Sequence, residues 1–463
     1  MKRTVLLAIL LYISNGFLLF AQGDSLEFSM ESACRYALEH NKALNNARED
    51  IQIAEQQYKE ARGQGLPQIS GQFDYMTNFN YEATFEMGGG DGGTDMPQID
   101  YSKLDAGDHE LLKILEEMTS GSSSTIVMTD QSNAQVQVSQ LIFGGEYWVG
   151  LKTAQIGQEL ARQNVNINKL DVKETVRNTY HLILVTENIR KILNINIENL
   201  EEIKEHTKGM YEAGIAEQTD VDQISINLSQ LENRKKAMER NINLSYNMLR
   251  YQMGLDSGED IILTDSLQGL LDNIEVSAKL TDSFNLSQNP NYQIVQTQEQ
   301  LQEKQVDMQK WAFAPTLTGF YSYTEKIMTT GFDLSPNNAA GLNLNIPIFS
   351  SGVRKARLEK AKIELDKAKR SKQMLEEQLH LQNNQLRYEL ADAYENYETQ
   401  KENVKVAQRM LKNIRRKYKQ GLVSSLELTQ SNANYLEAES NYLNATLELM
   451  QANLKLEKLY NQL

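Results

Sequence analysis

The chain has 463 residues, a formal net charge of −15, 24% charged residues and a mean hydropathy of −0.52. An acidic chain lacks the basic face that phosphate binding requires, which excludes nucleic acid as a partner. The single cysteine, Cys34, cannot form an internal disulfide and reads as a small buried side chain.

Lys2 and Arg3 precede an apolar run, Val5 to Phe20, that ends at Ala21-Gln22-Gly23. A charged start, a short apolar stretch and a small residue at the cut predict a secretory signal over residues 1–21. Beyond residue 23 no apolar run is long enough to cross a bilayer as a helix.

A helical stretch opens at Asn41 and stops at Gly65-Leu66-Pro67. A strand follows, with Ile69, Gly71, Phe73 and Tyr75 on one face and Ser70, Gln72 and Asp74 on the other. Residues of about 77–132 read as a long loop facing the cell exterior, holding eleven acidic residues against Lys103 and Lys113, with a short helix near Leu104 to Met118. Its Gly88–Gly93 cluster lacks the Lys-Ser/Thr of a nucleotide loop. Val136 and Val138 alternate with Gln135, Gln137 and Ser139 in a second strand that ends at Ile142-Phe143-Gly144-Gly145. Residues 158–208 and 215–253 contain neither Gly nor Pro, and a turn at Gly214 separates these two long helices.

The plan then recurs. Asn41 to Asn289, Pro67 to Pro315 and Gly71 to Gly319 share a shift of 248, while Ile142-Phe143 to Ile348-Phe349 shift by 206 and Gly214 to Gly421 by 207. The difference is the enlarged loop of the first copy. Residues 22–463 are therefore expected to form one protomer made of two tandem repeats, about 26–285 and 286–463. In the second copy Tyr321 and Tyr323 are placed at the rim of an aromatic girdle, and Leu342, Leu344, Ile346 and Ile348 alternate with Asn343 and Asn345. Pro67 and Pro315 mark strand starts and Pro347 a strand end, where the first copy has Leu141. From Val353 to Gln420 neither breaker occurs over 68 residues, a run that as one helix reaches roughly 100 Å. Leu436, Leu443, Leu447, Met450, Leu454 and Leu459 form a coiled-coil stripe on its partner helix.

Four alternating strands are too few to close a barrel, and an open sheet edge in lipid costs several kcal/mol per unpaired group. Three copies give twelve strands; two give eight, with a much narrower lumen between the helices.

With these residues in view, the chain resembles the TolC family of outer-membrane efflux proteins, over about residues 26–463. The resemblance rests on the doubled architecture, the Pro-x-[Ile/Leu]-[Ser/Thr]-Gly starts at Pro67 and Pro315, the Pro347-Ile348-Phe349 exit and the paired Tyr-x-x-Gly turns. It implies a mainly α chain with a β-barrel contribution: a homotrimer with a shared twelve-stranded barrel in outer-membrane lipid, continued by a long helical barrel across the periplasm. It further implies a passive exit duct of tripartite efflux or type I secretion, opened by a periplasmic adaptor and an inner-membrane pump of the RND or ABC type. The family's acidic gate maps onto Glu427, six residues after Gly421, and a second acidic position falls on Gln430, a departure from the pattern. Asp220 holds the equivalent place in the first copy. Two readings of these carboxylates stand together: a ring of negative charge on a trimer axis, or first-turn residues that complete a helix N-terminus. The turns at Gly214-Ile215 and Gly421-Leu422 are the expected adaptor contacts.

No enzyme chemistry emerges. The five histidines lack metal-ligand spacing to each other or to Cys34, and no nucleophile elbow, P-loop or dinucleotide fingerprint occurs, so neither catalytic residues nor metal nor cofactor are expected. The competing reading, a secreted or periplasmic coiled-coil protein without a barrel, explains the helices and leaves the strands unexplained.

Overall fold

The computed structural model describes residues 26–79, 81–86, 110–111, 113, 123–128, 130–328 and 335–463. The expected signal at 1–21, the glycine cluster at 88–93 and most of the expected helix at 104–118 lie outside them; Glu110, Leu111 and Lys113 are helical. The chain divides into two compact units, one of residues up to 58, 152–306 and 359–463, the other of 59–151 and 307–358.

The second unit holds a four-stranded antiparallel sheet. Its strands are β2 (Gln68–Met76), β5 (Gln131–Phe143), β7 (Thr316–Met328) and β8 (Asn338–Asn345), in the order β2-β5-β7-β8. Within the long loop, β3 (Tyr81–Glu86) pairs with β4 (Ser123–Met128), a ladder the sequence reading missed. The register lines Ile69, Val138, Tyr321 and Ala340 across the sheet, and Ser70, Gln137, Ser322 and Ala339 beside them. One face therefore gathers Ile69, Phe73, Tyr75, Val136, Tyr323, Leu342 and Leu344, and the other gathers Gln72, Gln135, Thr324, Thr318 and Asn343. The apolar face is exposed, as are both faces of β2. Among the described residues the two edge strands of this sheet, β2 and β8, have no partners.

Each copy begins its first strand directly after a proline, at Gln68 and Thr316. The second strands differ. β8 stops at Asn345, so Ile346 and Ile348 lie outside it, contrary to the expected alternation, because Pro347 has no N–H to donate. With Leu141 in that place, β5 continues through a bulge to Phe143. Tyr321 and Tyr323 fall near the middle of β7.

The first unit is helical. α1 (Met30–His40) and α2 (Lys42–Gly63) are followed after the sheet's first half by α3 (Gly145–Glu212) and α4 (Gln218–Met253). Two short helices, α5 (Leu267–Asp272) and α6 (Val276–Thr281), lead to α7 (Pro290–Trp311), and the second hairpin is α8 (Val353–Lys419) with α9 (Ser425–Leu459). α3 begins well before residue 158 and runs through Gly150 and Gly157; a glycine inside a 68-residue helix costs only about 1 kcal/mol, which the flanking turns absorb.

The helix starts carry the same device in both copies. Asn41 Oδ1 accepts from the Leu44 N–H at 2.9 Å while its Nδ2 donates to the Gln252 carbonyl at 2.7 Å. Asn289 Oδ1 accepts from Asn291 and Tyr292, and its Nδ2 donates to the Leu459 carbonyl at 3.0 Å. Each asparagine thus caps one helix and fastens it to the end of its own hairpin. A short parallel pair, β1 (Leu26–Phe28) with β6 (Ile261–Leu263), adds a connection with no sequence signal. Tyr180, fully buried, donates its hydroxyl proton to the Phe28 carbonyl and accepts from the Asp265 N–H. Cys34 is buried in that same core as a free thiol, raised in pKa by burial.

Candidate functional site

The two hairpin turns, α3–α4 and α8–α9, fold alike. Gly214 and Gly421 take φ of +78° and +72°, the left-handed region that only glycine enters without strain. Ile215 N–H donates to the Met210 carbonyl at 2.8 Å and Leu422 N–H to the Lys417 carbonyl at 3.0 Å, so each glycine closes a Schellman-type helix end. Ile215 and Leu422 are left exposed at the tips.

The helices that follow begin with a carboxylate at the third position, Asp220 in α4 and Glu427 in α9. The two differ in their contacts. Asp220 is half-buried: its Oδ2 accepts from the Glu217 N–H at 3.1 Å, and its Oδ1 accepts a short hydrogen bond from the Ser425 hydroxyl. It completes its own helix N-terminus and fastens the first tip to the second. Glu427 contributes only its backbone N–H, to Ser424 Oγ at 3.2 Å; its carboxylate is exposed and meets no partner among the described residues. Gln430 bonds Asn434 one turn on.

Further links join the hairpins. Thr207 spends its hydroxyl proton on the Ile203 carbonyl, so the Tyr418 hydroxyl donates to Thr207 Oγ1 at 2.5 Å. Tyr418 is 5% exposed, and burial raises its pKa. Arg415 reaches Asn199 Oδ1 at 2.7 Å and Glu202 Oε2 at 2.6 Å, and Lys419 reaches Glu202 Oε1 at 2.8 Å. The hydrogen bond from Lys419 and the charge of Arg415 lower the Glu202 pKa. Leu193, Leu200, Ile203, Ile224, Leu228 and Leu428 form the apolar layer beneath these polar links. The sequence singled out Tyr418 only as a turn residue. Glu202, Thr207, Arg415, Lys419 and Ser425 carried no signal, since their partners lie some two hundred residues away in the chain.

The strand-flanking prolines stand apart from the tips in sequence, and the structure places them only at the sheet ends. Among the described residues no group of His, Cys, Asp and Glu is arranged to hold a metal ion, and no helix is long and apolar enough to cross a membrane.

The outer membrane efflux protein family matches residues 34–255 and 285–462. The chain belongs to that family. It is an outer-membrane channel protein and not an enzyme. Among solved structures, the outer membrane protein VceC from Vibrio cholerae aligns with a TM-score of 0.67 at 14% identity, over 93% of this chain and 95% of that one. The CmeC outer membrane channel from Campylobacter jejuni aligns at 0.68 and 16% identity, over 94% and 85%. The open-state MtrE outer membrane channel from Neisseria gonorrhoeae aligns at 0.68 and 16% identity, over 93% and 88%. At these identities the likeness establishes the fold, the TolC-like mainly helical architecture with strands. No curated protein matches the chain by sequence.

Proposed function

We propose that three copies of this chain form the exit duct of a tripartite efflux or type I secretion system, opened by a periplasmic adaptor and an inner-membrane pump. The observation that carries the reading is the four-stranded sheet whose edges β2 and β8 lack partners among the described residues and whose apolar face is exposed. In lipid every backbone group needs a partner, so β8 of one copy must meet β2 of another until a cylinder closes; three copies of four strands give twelve. The apolar face then meets lipid and the Gln, Thr and Asn face lines water. The helices of the three copies enclose the periplasmic tunnel.

Glu427, whose carboxylate has no partner among the described residues, is the gate carboxylate in this reading. Repeated three times it concentrates negative charge on the axis, favouring cations and opposing anions. Asp220 takes a different part, as the latch between the two tips through Ser425. Exposed Ile215 and Leu422, with Gly214 and Gly421 setting the turns, offer the adaptor its apolar contact. Planar-bilayer recording tests the duct: purified protein should give a narrow, cation-favouring pore that Glu427→Ala with Asp220→Ala widens. Absence of any conductance from correctly extracted protein would defeat the duct, and unchanged conductance and divalent block in the double variant would defeat the gate. Cysteines at 215 and 422 should crosslink to the adaptor.

A further inference from the structure

At one end of the sheet, Phe143 pairs with Leu317 and Leu317 with Leu344, so the segments that leave β5, enter β7 and leave β8 emerge on the same side. The segments at β7 and β8 are apolar and exposed, while the one leaving β5 passes through buried Gly144 and Gly145 to a single exposed acid, Glu146. Ile348 and Phe349 are 91% and 84% exposed, and Trp148, Trp311 and Phe313 are exposed as well. Trp148 and Arg354 occupy the same place in the two copies.

α8 opens there with Arg354, Lys355 and Arg357 and has no acidic residue in its first turn. Cations at a helix N-terminus oppose the helix dipole and are disfavoured unless an anion sits among them. The chain as a whole carries −15, which makes this local cationic cluster against its own charge balance. Arg354 is partly covered, donating to the Pro347 carbonyl at 2.7 Å with its guanidinium 6.0 Å from the centre of the Phe313 ring. Lys355 and Arg357 are exposed and make no hydrogen bond or ion pair among the described residues.

Apolar side chains that precede unpaired cations by a few residues, at the end of a sheet that lies in a membrane, match one chemistry: acyl chains beside an anionic head group. We propose that this junction seats an anionic phospholipid of the periplasm-facing leaflet, with Arg357 on its phosphate, Lys355 adding its charge from the other side of the first turn, and Ile348, Phe349 and Phe313 against its chains. The arginine fork suits phosphate in two-pronged contact, and Arg354 holds the Pro347 turn that presents Ile348 and Phe349. The inference rests on the duct reading for which leaflet is met, and on the sheet end itself for the chemistry.

Native mass spectrometry of the detergent-extracted full chain, titrated with phosphatidylglycerol and with phosphatidylcholine of the same acyl chains, tests it. Phosphatidylglycerol should bind at least about tenfold tighter, and Lys355→Gln with Arg357→Gln should weaken it about 25-fold, at about fivefold per cation near a lipid surface. Phe349→Ala should weaken both lipids alike. Lys367→Gln with Lys369→Gln, farther along the same helix, should change neither. Equal binding of the two lipids, an unchanged Lys355/Arg357 double variant, or full displacement by millimolar inorganic phosphate would each overturn the lipid assignment. Bilayer conductance of the same preparation separates the two readings: a conducting protein without lipid preference overturns this inference alone, and a non-conducting one overturns the duct and the leaflet assignment with it.

Discussion

The link between Tyr418 and Thr207 yields a prediction whose size follows from its burial. Both residues are buried, and the hydroxyl contact between them is the innermost polar link between the two hairpins. Tyr418→Phe removes the donor and leaves Thr207 still bonded to Ile203, so it forfeits one hydrogen bond, about 0.5–1.5 kcal/mol. Thr207→Val instead strands the phenol hydroxyl in an apolar layer, at about 1–3 kcal/mol. Because the two changes share one contact, the double variant should cost about 1 kcal/mol less than the sum. Hydrogen exchange of the backbone amides near the start of α9 reads local opening directly. Tyr418→Phe should speed exchange there about fivefold and Thr207→Val more, with α1 and α2 unaffected. Additive effects in the double variant, or equal changes throughout the chain, would refute the claim that this contact holds the tips together.

Asp220→Asn should loosen the first tip by about 1 kcal/mol through its weakened cap and the Ser425 contact, seen as faster exchange at the start of α4, whereas Glu427→Gln should leave exchange unchanged and alter conductance only. His181 is 6% exposed and held neutral: burial, then the Arg177 charge, lowers its pKa from 6.5 to about 4. The unfolded chain takes up that proton first as pH falls, so stability is full above about 6.5 and declines by up to about 3 kcal/mol towards pH 4; His181→Gln should flatten the acid limb of an unfolding profile. Glu202 acts in the same direction: with its pKa lowered by the Lys419 hydrogen bond and the Arg415 charge, its contribution is complete above the ordinary glutamate value and is lost as acid protonates it. Gly145→Ala would drive a methyl into the Trp311 ring, within about 2 Å of its carbons, and should lower the yield of assembled protein; wild-type yield would show that the indole moves aside at no cost.

The parts of the fold legible in the sequence are those governed by short-range rules. A period of two in β2 and β5 needs no tertiary information, and long stretches without Gly or Pro read as helix. Where a local rule met a competing one, the sequence misled. Pro347 ended β8 early although Ile346 and Ile348 kept the alternation, and Gly150 and Gly157 stayed helical although glycine was treated as a stop. The β1–β6 pair was invisible because three residues carry no pattern, and its partners are separated by more than two hundred positions. At the tips, glycine conformation was readable from residue type, while the different roles of Asp220 and Glu427 were not. Both occupy the third helical position, and they are distinguished by contacts that residue type does not reveal: Asp220 closes a capping box with the Glu217 N–H and accepts from Ser425 of the other hairpin, and Glu427 does neither.

The proposed assembly depends on the edge strands β2 and β8, which have no partner within one chain among the described residues. Light scattering of the detergent-extracted protein, corrected for bound detergent, measures that dependence directly. It should return three times the chain mass, resistant to mild detergent and lost on boiling; a stable particle of one chain would contradict it.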